Sequence, residues 1–186
     1  MNIGFALCGS FCTFHRVFPV MEALADRHGL IPILSEASAC VDSRFGTAGD
    51  HRDRIREICG RAPLTSIPEV EPIGPQKLLD ALIIAPCTGN TLAKLAHGIA
   101  DGPVTMAAKS HLRNGRPLLI AVSTNDALGA AAENIGRLLM RKHCYFVPFG
   151  QDSPEKKPTS MVADFDRIPQ ALDLALEGQQ LQPILF

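Results

Sequence analysis

The chain has 186 residues, enough for one domain with a sizeable core. Its 46% hydrophobic and 20% charged residues are ordinary for a globular protein, and a formal net charge of -1 gives no electrostatic case for nucleic acid or an anionic membrane surface. Trp is absent and Tyr occurs once, which argues against an aromatic platform for stacked bases.

In chain order, Asn2–Cys8 reads as a strand closed by a Gly9-Ser10 turn. A helix is expected over His15–Arg27, because Val17, Val20, Met21 and Leu24 recur at helical spacing; Gly29 ends it, and Pro19 is placed near its first turn. Leu30–Leu34 is a second short strand closing at Ser35. The polar, glycine-bearing stretch Glu36–Gly49 is expected to be a loop, and Asp50–Cys59 a helix. Four prolines (Pro63, Pro68, Pro72, Pro75) make Arg61–Pro75 an irregular connection.

The apolar run Ala81–Ala85 reads as a fully buried strand that Pro86 should stop. A Thr88-Gly89-Asn90 turn then opens a helix over Asn90–Ile99, and a second helix is expected over Pro103–Asn114. Leu118–Val122 is a strand ending in the polar turn Ser123-Thr124-Asn125-Asp126, followed by a helix over Ala127–Lys142 and a strand over Cys144–Val147. A polar loop (Gln151–Ser160) precedes a last helix near Asp166–Glu177, and the apolar tail Gln179–Phe186 is expected to pack on a partner.

Six cysteines stand at 8, 12, 40, 59, 87 and 144, without a CxxC pair, and nothing at the N-terminus reads as a secretory leader. No apolar run approaches membrane-spanning length. A cytoplasmic protein with reduced thiols and no metal site is expected.

Strands alternating with helices imply an α/β fold: a three-layer Rossmann-like or flavodoxin-like sandwich with a parallel sheet, forming a single domain over residues 1–186. That layout sets Gly9-Ser10, Ser35, Thr88-Gly89-Asn90 and Ser123-Thr124-Asn125 at successive strand carboxyl ends, where open α/β sheets bind ligands. Helix N-termini there favour anions, although Ser, Thr and Asn cap helices with or without a ligand. The first turn lacks the second and third glycines of a dinucleotide fingerprint, and no Walker motif is present. A mononucleotide suits what remains.

Pro86-Cys87-Thr88-Gly89-Asn90-Thr91-Leu92-Ala93-Lys94, continuing to Gly98-Ile99-Ala100-Asp101, resembles the signature of the FMN-binding flavoprotein superfamily, which includes phosphopantothenoylcysteine decarboxylase, peptidyl-cysteine decarboxylases and flavin prenyltransferases. Within it, Gly9–Thr13, Ser43–Gly46, Pro72–Pro75, Met106–Lys109, Ser123–Gly129, Pro148–Asp152 and Gln179–Leu185 are similar to the branch formed by dipicolinate synthase B subunits of spore-forming bacteria. The resemblance implies a flavodoxin-like fold, an FMN site and a mother-cell cytoplasmic location. It also implies a homo-oligomer and a partner, the dipicolinate synthase A subunit, that brings the nicotinamide cofactor NADP. The implied reaction is oxidation of a small dicarboxylate, a dihydrodipicolinate-type precursor, to dipicolinate.

The chain departs from the flavin decarboxylases in two places. Their catalytic His before the third strand has no counterpart in Val70-Glu71-Pro72-Ile73-Gly74, and of their Pro-x-Met-Asn-x-x-Met motif only Asn125 remains. A non-catalytic stabilising or gating subunit with a vestigial flavin pocket, and a stand-alone flavin-dependent decarboxylase, stay open as alternatives.

For the implied flavin, the candidate contacts are Gly9, Ser10, Ser35, Thr88, Gly89, Asn90, Ser123 and Asn125. Ser10 is either a phosphate contact or a helix cap. Thr88 and Asn90 suit the isoalloxazine or ribityl, because carboxamides match the flavin's donor and acceptor edge. Asn125 could hold flavin or a substrate carboxylate. Arg44 offers a bidentate guanidinium to a dicarboxylate, or is simply solvated. His15 is the histidine best placed for acid–base work; His51, His97, His111 and His143 read as structural. Lys109 reads as a helix-surface charge, and Lys156 and Lys157 as solvated or steering.

Overall fold

The computed structural model describes all residues, Met1–Phe186. β1 (Asn2–Leu7) leads through a short 3₁₀ turn, Phe11–Thr13, into α1 (Phe14–Ala25). The helix turns Phe14, Val17, Val20, Met21 and Leu24 to the core. Pro19 lies inside α1 rather than in its first turn, on the exposed side. β2 (Gly29–Leu34) follows, beginning at Gly29 itself.

The expected loop after β2 contains α2 (Glu36–Cys40), too short to show a periodic apolar stripe. α3 (Ala48–Cys59) starts before Asp50 because Thr47 and Asp50 form a reciprocal capping box, and it ends on the left-handed Gly60. The proline-rich connection holds one turn of helix, α4 (Ile67–Val70), running into a 3₁₀ turn over Glu71–Ile73.

β3 spans Ala81–Cys87, every residue buried, so Pro86 does not stop the strand. Proline has no N–H for the ladder, and the pairing with the next strand is irregular between Ile84 and Cys87. The Pro86 carbonyl accepts instead from the Cys8 N–H (3.2 Å), tying the ends of β3 and β1 together. α5 (Gly89–His97), α6 (Pro103–Leu112) and β4 (Leu118–Thr124) come next. α7 (Ala131–Leu139) is shorter than its sequence signal, because Leu128 N donates to Thr159 O and Gly129 N to Asp126 O, which holds the preceding residues in a turn. β5 (Cys144–Phe146), β6 (Phe149–Gly150), β7 (Met161–Ala163), a 3₁₀ turn over Phe165–Arg167 and α8 (Ile168–Leu176) complete the chain.

β2, β1, β3, β4 and β5 run parallel, as expected, and lie side by side in that order. The seven-stranded sheet is nevertheless mixed. β5 covers only Leu118–Ile120 of β4, and the end of that edge left over, Ser123–Thr124, is taken by β7 running antiparallel, with β6 beyond it. The C-terminal tail does not await a partner along its whole length. It bridges Phe149 to Leu185 and buries Leu181, while Phe186 stays 68% exposed. A Cβ on Gly150 would lie 2.6 Å from the Phe186 carbonyl oxygen, so this contact needs glycine.

One apolar cluster of 48 buried residues runs from Ile3 to Leu181 on both faces of the sheet. No helix is long and apolar enough to cross a membrane. The consequence for function is geometric: every parallel strand delivers its carboxyl end to the same edge.

Candidate ligand site at the carboxyl edge of the sheet

Two open clefts lie along that edge and share Gly9 and Thr88 as their common saddle. The first, about 590 Å³, gathers Ser10, Ser123, Thr124 and Asn125 with Phe11, Phe45 and Val162. It also gathers His15, Arg16, Arg44, Asp152 and Lys157. The second, about 600 Å³, lies between α2, α5 and the start of α6. It is lined by Ser35, Glu36, Asn90, Lys94 and Asp101, with Val41, Pro103 and Val104 as apolar walls.

The strand-end residues differ in how their polar atoms are engaged. Ser35 caps α2, its Oγ accepting from Ser38 N at 3.2 Å, while Ser38 Oγ donates to the Leu7 carbonyl at 3.0 Å. Ser10 stands at the corresponding position before the Phe11–Thr13 turn but makes no cap bond. Its hydroxyl is paired with Ser123 Oγ across the cleft at 2.8 Å, joining the turns after β1 and β4. Thr88 likewise makes no cap bond for α5; its Oγ1 lies 3.2 Å from Thr91 Oγ1, which donates to Cys8 Sγ at 3.2 Å. Asn90 is exposed in the second cleft, and neither its carboxamide nor that of Asn125 has a protein partner.

Gly89 lines neither cleft. A Cβ there would come within 2.8 Å of Thr124 Oγ1 and 3.0 Å of Asp126 Oδ1, so its bareness lets the turns after β3 and β4 close together. Thr124 Oγ1 donates to Asp126 Oδ1 (2.6 Å). The Asn125 carbonyl accepts from Thr159 Oγ1 (2.7 Å), which binds the 151–160 loop against the β4 turn.

The two buried thiols at the ends of β1 and β3 are held in the protonated form by their surroundings. Burial pushes Cys8 up to about 11 despite its bonds from Thr91 and the Thr88 backbone, and it drives Cys87 well above the ordinary thiol range. Burial works against the Asp152 carboxylate, but the Ser160 hydroxyl and Lys157, 3.4 Å away, outweigh it and hold its pKa below the usual value. In the second cleft Lys94 pairs with Asp101 at 2.9 Å, and the hydrogen bond from Lys94 lowers the Asp101 pKa.

Of the other candidate residues, His15 and Arg44 reach the first cleft, joined by Lys157. Lys109 and Lys156 are exposed and line neither. His97 and His143 are exposed; His111 is buried with Nε2 3.0 Å from the Pro117 carbonyl. His51 is buried among Phe11, Phe14 and Phe18, and burial lowers its pKa. Sequence reasoning missed Arg16 and Asp152. Arg16 directly follows His15 at the start of α1, and Asp152 stands five residues before Lys157, so a neighbouring candidate was the available signal for each.

The chain is similar to known proteins over most of its length. The Flavoprotein family model matches residues 1–152. The B subunit of dipicolinate synthase from Bacillus subtilis (strain 168) is 46% identical over 185 residues, covering 99% of this chain and 92% of that protein. Among solved structures, the dipicolinate synthase B subunit from Bacillus halodurans C superposes with a TM-score of 0.91 at 42% identity, over 100% of this chain and 95% of that one. The fold is shared more widely: DmrB of Burkholderia xenovorans in complex with FMN, a cubic protein cage for redox transfer, gives a TM-score of 0.70 at 19% identity, covering 95% of each chain.

Proposed function

Because the chain belongs to the Flavoprotein family, and within it to the dipicolinate synthase B subunits, we propose that it binds FMN and acts with a nicotinamide-dependent A subunit. The pair oxidises a dihydrodipicolinate-type precursor to dipicolinate during sporulation, in the mother-cell cytoplasm, with NADP bound by the partner. The observation that carries this reading is the pair of clefts meeting at Gly9 and Thr88, one of them rich in unpaired cations.

The donor set fits a flavin mononucleotide. Ser10 and Thr88 present hydroxyls at the saddle that cap nothing, Ser123 supports Ser10, and Asn90 and Asn125 hold carboxamides without protein partners. The apolar walls on either side (Phe11, Phe45 and Val162; Val41, Pro103 and Val104) suit a planar ring system. Ser35 would contact a ligand only alongside its capping bond. A bound flavin supplies a two-electron acceptor.

The chain's own residues supply the rest. The excess positive charge of the first cleft attracts and orients an anionic dicarboxylate. Aromatisation of a dihydropyridine ring would release a proton and a hydride equivalent, for which a bound flavin or the partner's NADP would be the acceptor. His15, exposed in the same cleft, is the group we place to accept that proton on an imidazole nitrogen. Residues 1–186 act as a single domain in this reading, supported by the β4–β7 pairing that binds the late segment to the rest of the sheet. A homo-oligomer is supported by the exposed Leu128, Leu139, Met140 and Phe186 and by the cage formed by the fold relative DmrB.

The test is reconstitution. FMN titrated into the purified chain, followed by quenching of flavin fluorescence, should saturate, and Ser10→Ala should weaken it. Dipicolinate formation with NADP should require both chains. Full turnover by the A subunit without this chain would remove it from the chemistry, and failure to bind FMN would leave it a non-flavin component.

A further inference from the structure

Arg16 and Arg44 are the only cations of the chain that sit over aromatic rings, and both line the first cleft. The Arg16 guanidinium lies 5.1 Å from the centroid of Phe165, in the turn before α8, and that of Arg44 lies 4.8 Å from the centroid of Phe45. They reach the cleft from different segments, the first turn of α1 and the loop between α2 and α3. Neither guanidinium has a carboxylate partner, whereas Arg54, Arg56, Arg116 and Arg137 all do. The cleft's one acidic side chain, Asp152, is already paired with Lys157 at 3.4 Å. Arg16, Arg44 and Lys157 against Asp152 therefore leave two positive charges, both on guanidiniums.

A ring face orients a guanidinium without consuming its N–H donors, which leaves the planar fork free to accept a carboxylate side-on. A surface arginine with no task normally trails into solvent, so two held over rings in one cleft are a specific arrangement. Resting on the functional reading above, we propose that Arg16 and Arg44 form a two-point clamp for the two carboxylates of a planar pyridine-type dicarboxylate. One guanidinium takes each carboxylate. Arg16 and Arg44 are thereby the specificity-determining residues that separate a dicarboxylate from a monocarboxylate of the same ring.

The test uses the full-length chain and two stable probes, pyridine-2,6-dicarboxylate and pyridine-2-carboxylate, titrated calorimetrically at low ionic strength. Wild type should favour the dicarboxylate. Arg16→Gln and Arg44→Gln should each weaken dicarboxylate binding by about tenfold, the lower end for hydrogen bonds to charged groups at an exposed site. The monocarboxylate should change by less than about threefold in each variant, because one guanidinium suffices for it. Lys109→Gln, which removes an exposed charge outside both clefts, should alter neither. FMN affinity, measured in parallel, should be unchanged in both arginine variants.

Equal losses for the two probes would reduce the effect to general attraction and overturn the clamp. An unchanged dicarboxylate affinity would do the same. A fall in FMN affinity in place of dicarboxylate affinity would assign the guanidiniums to the cofactor's phosphate. If the probe pattern holds while the reconstituted pair makes no dipicolinate, the synthase reading fails and the clamp stands. Productive turnover with the wrong probe pattern would overturn the clamp and leave the synthase reading intact.

Discussion

The two clefts are close in volume and share a saddle, yet they differ in how their cations and strand-end serines are engaged. In the second, Lys94 is paired with Asp101 and Ser35 is bonded to the helix it caps. In the first, Ser10 is free of capping and two guanidiniums rest on aromatic rings without counter-ions. A polar group already engaged by the fold offers little new energy to a ligand, whereas one held in place but uncommitted offers most of a charge-assisted bond. Residue type at a strand end is therefore not enough to make a ligand contact; what matters is whether the local backbone has already claimed the side chain.

That contrast depends on the seam between the turns. Gly89→Ala forces a methyl against Thr124 Oγ1 and Asp126 Oδ1, so we expect a loss of about 1–3 kcal/mol in a denaturant melt, with ligand binding in both clefts impaired. A stability loss with full binding would show that the two turns are not coupled. Acidification acts next. The buried His51 has a lowered pKa, so its contribution is intact above its unfolded value of about 6.5 and is lost as pH falls through the lower folded value. Stability should decline on going from about pH 7 to about pH 5, and His51→Leu should flatten that slope.

The two serines test the contrast directly. Ser35→Ala removes a helix cap and should cost about 1 kcal/mol, read as a shifted denaturation midpoint, with ligand affinity changed little. Ser10→Ala removes no cap and should show the reverse: a smaller stability change with a clear loss of FMN affinity. A matching profile for the two would erase the distinction. The smallest effect is expected from Asp101→Asn, whose partner Lys94 is held at the surface. The melting temperature should stay within measurement error, and a marked drop would show that the pair organises its cleft.

The parallel core was legible because strands buried on both faces appear as unbroken apolar runs, and Ala81–Cys87 is the clearest instance. Pro86 misled because the rule that proline ends a strand is local, while the sheet accommodates it with a register shift and a bond from Cys8. Met161-Val162-Ala163 is too short to show a period, so the antiparallel addition could be found only from the open edge of β4 that it covers. The site was half legible. Small polar residues at strand ends marked its position, but nothing in the spacing said that Ser35 would cap a helix while Ser10 paired with Ser123, or that Arg16 and Asp152 would turn toward the same space.

The antiparallel strand β7 has a consequence for the construction of the first cleft. The Flavoprotein family model ends at residue 152, while Lys157, Ser160 and Val162, all on the cleft wall, lie beyond it. The parallel strands supply the turns on one side of the cleft, and β7 joins the late segment to its rim through Ser123 and Thr124. Met161 and Ala163 belong to the same buried cluster as the parallel strands, so this wall is anchored in the core rather than laid over it. Replacing the largely exposed residues 153–159, which leaves that anchor in place, is therefore the natural experiment in redesigning what the cleft accepts.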